Sequence, residues 1–136
     1  LIEDLNRIII EEIKALEVLL GCLDRQHEYI AKDDVFKMEA VVEDINNCNK
    51  KIAKLEMERR NITKGESMEQ IVNASDYSEL DENYRKARKL VEELKVQKET
   101  NEILIKQGLG YTTRMLQVLN PDRQPKTYGA YGKMKR

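Results

Sequence analysis

The sequence predicts an all-α protein: an antiparallel bundle of three long helices with a short connector helix and a flexible C-terminal tail. Three observations carry that prediction. Apolar residues recur at alternating steps of three and four over three long stretches, the period of a helix that buries one face. The 136 residues include two Pro, one Phe and no Trp, and 36% of them are charged. That balance suits a thin bundle of long solvent-facing helices and argues against a thick globular core. Finally, Asp33-Asp34, Gly65 and Asn120-Pro121 fall where the three patterns stop.

The first helix is expected from Ile2 to Ala31. Ile2, Leu5, Ile9, Leu16, Leu19, Leu23 and Ile30 keep the three-four rhythm, with gaps at Glu12 and Gln26. Ile13 and Leu20 widen the stripe, as in a helix that touches two neighbours. Gly21 lies inside this helix and weakens it by roughly 1 kcal/mol relative to Ala. Asp33 or Asp34 then caps the next helix by accepting a backbone N–H bond. The connection is short enough to force an antiparallel return.

The second helix is expected over Val35–Lys64. Met38, Val41, Ile45, Cys48, Ile52, Leu55 and Ile62 form its stripe, and Arg59 is the one intrusion. Gly65 is placed to end it in a left-handed conformation. From Gly65 to Ser78 the pattern is weak. Met68, Ile71 and Val72 suggest one or two helical turns capped by Ser67, in a connector that packs lightly and moves.

The third long helix begins near Tyr77 with the acid-rich first turn of a helix start, Glu79, Asp81 and Glu82. It is the segment against which the upstream helices are expected to pack. Leu80, Tyr84, Ala87, Val91 and Leu94 form its stripe, and Leu90 widens it. Gln97, Lys98 and Asn101 are polar; Asn101 occupies a core-facing position where a buried Asn fixes register. Apolar character resumes at Ile103, Leu104 and Ile105, then at Leu109, Tyr111, Met115, Leu116, Val118 and Leu119. Gly108 and Gly110 either loosen this part or admit another chain. Asn120-Pro121 ends the helix, because a residue before proline is pushed out of helical geometry. The organisation expected is a bundle domain over 1–119 and a tail over 120–136.

Net charge is −1, so the whole chain has no field to draw it to nucleic acid. The tail carries five cations against one anion, which leaves −5 for the body. A basic tail can bind RNA or lipid, or simply stay solvated; the second is the commoner outcome. Cys22 and Cys48 lie within helical patterns and form no CxxC pair, so they are expected to be packing residues of a reducing compartment, with a single buried bridge between the first two helices the less favoured alternative. No signal peptide and no apolar run of spanning length is evident.

Chemistry is sparse. His27 is the single histidine and sits among Arg25, Gln26 and Glu28. Adjacent acidic pairs such as Glu11-Glu12 and Glu92-Glu93 point different ways on a helix and are expected to face solvent. Neither a phosphate loop, a nucleophile motif nor metal-ligand spacing is present. No catalytic residue, metal or cofactor is expected, and the chain is not expected to be an enzyme.

The C-terminal third carries the most specific pattern. Asn101-x-x-Leu104-Ile105 is followed by Leu109 and Tyr111, then Leu116 to Leu119. A proline turn and Thr127-Tyr128-Gly129-Ala130-Tyr131-Gly132 close it. This pattern, over nearly the whole chain, resembles the FlgN-type flagellar export chaperones. The resemblance implies a cytoplasmic type III export chaperone that binds hook–filament junction proteins through their C-terminal helical segments. It would keep them from premature assembly and deliver them to the cytoplasmic domain of the membrane export gate. By position, the resemblance assigns client binding to Asn101, Leu104, Ile105, Leu109, Met115, Leu116 and Leu119. It assigns gate docking to Tyr128 and Gly129; Tyr131, a second aromatic that departs from the family pattern, is the alternative anchor. A monomer or weak homodimer without nucleic-acid binding or membrane insertion is expected. The alternative is a structural coiled coil that self-associates through the same stripe.

Overall fold

A computed structural model describes residues 1–119, 127–128 and 134–135, with side chains described for residues 1–108 and 117–119. Four helices follow in order: α1 (Ile2–Ala31), α2 (Val35–Thr63), α3 (Met68–Ala74) and α4 (Ser78–Leu119). The chain divides into two compact units, Leu1–Asn101 and Glu102–Arg136.

In the first unit α1 is the hub. It buries ten residues, from Leu5 to Leu23, whereas α2 fully buries only Val41, Leu55 and Thr63. The sequence placed the C-terminal helix at the centre. The structure assigns that place to α1, because its stripe is the widest and faces both long partners. Contacts of rising α1 numbers with falling α2 numbers set the two antiparallel: Glu12 meets Arg59, Cys22 meets Cys48, and Arg25 meets Asp44. Contacts of α1 with α4 rise together, Asn6 with Asn83 and Gln26 with Asn101, so α4 runs parallel to α1. The long helices therefore alternate up, down, up.

The turns form as the sequence suggested, with two refinements. Asp34 is the cap of α2, its side chain accepting from the Lys37 backbone N–H at 3.2 Å, while Asp33 takes the left-handed conformation at φ 53. Short polar side chains tolerate that conformation better than others. At the far end of α2 it is Lys64 that turns left-handed, at φ 54, with Gly65 following at φ 83. Two successive residues with positive φ thus end α2 and lead into α3.

The connector differs from expectation. Val72 of α3 is buried and belongs to one apolar cluster with Leu5, Ile9, Ile13 and Leu80, flanked by Met68 and Ile71. A lightly packed segment would not place its central valine there. Ser67 stands at the helix start but makes no side-chain cap bond. A second cluster, Leu16, Leu19, Leu23 and Leu94, lies further along α1 and takes in Ile45, Cys48 and Ile52 of α2. Leu90 packs against both clusters, while Val91 is exposed; the stripe of α4 thus runs through Leu90 rather than Val91.

The expected tail, 120–136, lies mostly outside the described residues. Its described parts are two-residue strands, β1 (Thr127–Tyr128) and β2 (Met134–Lys135), paired antiparallel with Thr127 opposite Lys135 and Tyr128 opposite Met134. The sequence suggested no strand there.

Candidate functional site

Polar side chains interrupt the stripes of the first unit at three levels, and at each they find one another. Glu12 and Arg59 were the gaps in the α1 and α2 stripes; Arg59 Nε donates to Glu12 Oε1 at 2.9 Å. Their side chains are only 13% and 21% exposed, so Glu12 does not face solvent as expected of an adjacent acidic pair. Burial pushes the Glu12 carboxyl above its ordinary value, and the Arg59 charge and hydrogen bond offset that only in part. A cleft opens beside the pair, walled by Ile9, Met68, Tyr84 and Ala87.

Near the start of α4, Asn83 Nδ2 donates to Asn6 Oδ1 at 2.9 Å. At the end of the first unit stands Asn101, 1% exposed. Its amide nitrogen donates to the Leu23 carbonyl and to Gln26 Oε1, each at 2.9 Å, and its oxygen accepts from Gln97 Nε2 at 3.0 Å. Gln26 was the second gap in the α1 stripe. Asn101 is therefore engaged within the bundle, in the core-facing position that its spacing indicated.

After Asn101 the helix changes character. In the second unit Leu104 and Ile105 are half-buried, and Ile103, Val118 and Leu119 are 54%, 74% and 69% exposed. Leu109, Met115 and Leu116 lie on the same helix, but their side chains are outside those described. In the sequence, Leu104, Tyr111, Met115 and Val118 recur at helical spacing, as do Ile105, Leu109, Leu116 and Leu119. A Cβ added at Gly108 would meet nothing within 4 Å. Tyr128 stands in β1, whereas Gly129 and Tyr131 lie outside the described residues.

His27 is exposed, as expected of a rim residue. No group of three or more His, Cys, Asp or Glu that could hold a metal ion occurs among the described residues. None of the described helices is long and apolar enough to cross a membrane. Sequence reasoning did not single out Asn6 and Asn83, or the pairing of Glu12 with Arg59. The signal was present in the last case, since both residues stand on stripe positions.

The described residues build an all-helical bundle in the first unit, whose last helix, α4, runs on to Leu119. The family model described as FlgN protein matches residues 1–136, the whole chain, which therefore belongs to the FlgN family. Neither the curated proteins nor the solved structures contain a significant match. FlgN proteins are flagellar type III export chaperones that bind flagellar proteins, in agreement with the resemblance noted in the sequence.

Proposed function

We propose that the chain is a cytoplasmic chaperone for hook–filament junction proteins, which it keeps from premature assembly and hands to the export gate. The client's C-terminal amphipathic helix lies along α4 after Asn101. Leu104, Ile105, Leu109, Met115, Leu116 and Leu119 supply the apolar surface, and Asn101, held by α1, marks where that surface starts. Tyr128, Gly129 and Tyr131 dock the chaperone to the gate's cytoplasmic domain. No catalytic step is involved.

The observation that supports this reading best is the change at Asn101. Before that residue Leu80 and Leu94 of α4 are buried in the two apolar clusters with α1; after it, Ile103, Val118 and Leu119 are more than half exposed. Helix-in-groove recognition uses apolar residues read at three- and four-residue steps. A tyrosine in the tail fits an anchor, because it joins large apolar area to a polar tip.

Calorimetric titration separates the two roles. The intact chain and a Tyr128→Ala variant are each titrated with a junction-protein C-terminal segment and with the gate's cytoplasmic domain. The expected result is equal client affinity for both forms, with gate binding lost in the variant. Failure of the intact chain to bind either partner at tens of micromolar, with a stable oligomer in sedimentation, would replace this reading by the self-associating coiled coil.

A further inference from the structure

Cys22 and Cys48, widely separated in sequence, face each other across the closest helix pair of the bundle, α1 with α2. Their Sγ atoms are 4.0 Å apart. Both are free thiols; Cys22 is buried and Cys48 partly so. Arg25 Nη2 lies 3.3 Å from Cys22 Sγ, and the same guanidinium nitrogen is 3.9 Å from the Asp44 carboxylate. Two cysteines used only as packing residues need no such approach, nor a cation on one sulfur.

We infer that Cys22 and Cys48 form a reversible thiol-oxidation site, which closes to a disulfide joining α1 to α2 when a low-molecular-weight disulfide such as oxidised glutathione is the oxidant. The inference stands apart from the proposed client and gate. Closure requires the sulfurs to move from 4.0 Å to bonding distance, about 2.05 Å.

The chemistry balances in two exchanges. The Cys48 thiolate, on the more open side, attacks one sulfur of oxidised glutathione. The glutathione S–S bond breaks, a Cys48–glutathione bond forms, and one glutathione leaves and takes up the proton that Cys48 released. Cys22 then attacks the Cys48 sulfur, with Arg25 positioned to hold negative charge on the Cys22 sulfur as its proton departs. The Cys22–Cys48 bond forms and the second glutathione leaves with that proton. Two protein thiols are oxidised and one glutathione disulfide is reduced to two thiols. Burial, with the neighbouring Cys22 sulfur, raises the Cys48 thiol, so the first exchange is slow and the site is best read at equilibrium.

The test uses the full chain, reduced and then equilibrated with oxidised and reduced glutathione at graded ratios. Free thiols are counted, and linked peptides are mapped by mass spectrometry. The expected result is loss of both thiols from the monomer, independent of protein concentration. A peptide pair joined through Cys22 and Cys48 should appear, with a thermal midpoint raised by about 5 °C or more, since the bond closes a loop in the unfolded chain. Return to two thiols on adding dithiothreitol completes the expectation. Accumulation of a stable glutathione adduct on Cys48, cross-linking only between chains, or retention of both thiols in the folded protein would each overturn the inference. All of these are read on the wild-type chain, so no variant has to fold.

Discussion

Glu12 and Arg59 each interrupt an apolar stripe, and they interrupt it at the same level. Removing one partner leaves the other charge largely out of water, which is costly; replacing both with apolar residues is not. Arg59→Leu is expected to destabilise the bundle by about 2 kcal/mol, and Glu12→Leu combined with Arg59→Leu should recover most of that loss in urea denaturation. The pH dependence has a definite sign. The Glu12 pKa is raised in the folded state above its ordinary 4.5, so the fold binds the proton more tightly than the unfolded chain does. Its contribution is therefore complete below pH 4.5 and is lost as pH rises through the raised folded value. Stability of Glu12→Gln, compared with wild type from pH 4 upwards, should lack that decline. Gly21 is a simpler case. A Cβ there would meet only the tip of Arg25, at 4.0 Å, so no close crossing requires glycine. Gly21→Ala should raise stability by about 1 kcal/mol, seen as a higher denaturation midpoint with unchanged slope.

At the scale of elements, α3 tests how far the core extends. Val72→Ala is expected to cost about 2 kcal/mol by leaving a void among Leu5, Ile9 and Leu80. A change below about 0.5 kcal/mol in the same denaturation assay would return α3 to a loose connector. The long helices were legible in the sequence because each repeats its stripe many times: α1 falls on Ile2–Ala31 as the periodicity indicates, and α2 ends one residue before the expected Lys64. The packing of α3 was not legible, since seven residues complete only two turns and carry no resolvable period. The choice between Leu90 and Val91 on α4 is of the same kind, as adjacent apolar residues both fit a widened stripe. Among site residues, the core position of Asn101 followed from spacing, but its partners Leu23 and Gln26 did not. Which residues meet across helices depends on the mutual register of α1 and α4, and that register is written in no single stripe. A bridge between Cys22 and Cys48 was conceivable from the sequence but disfavoured, because no stripe by itself sets α1 against α2 in register.

For the whole molecule, the division at Asn101 separates two uses of one helix. Its first part completes a bundle whose polar residues pair at three levels. Its second part carries the residues proposed to hold the client, and the tail carries Tyr128, proposed for docking. The bundle owes little to the client on this account, so binding should alter the chain after Asn101 and leave α1 and α2 nearly unchanged. Amide hydrogen exchange resolves that directly. The intact chain is exchanged alone and with saturating junction-protein C-terminal segment, and uptake is mapped by peptide. The account predicts new protection confined to peptides within residues 102–119, with α1 and α2 exchanging as before. Protection appearing on α1 or α2 while residues 102–119 exchange unchanged would contradict it and place the client elsewhere on the bundle.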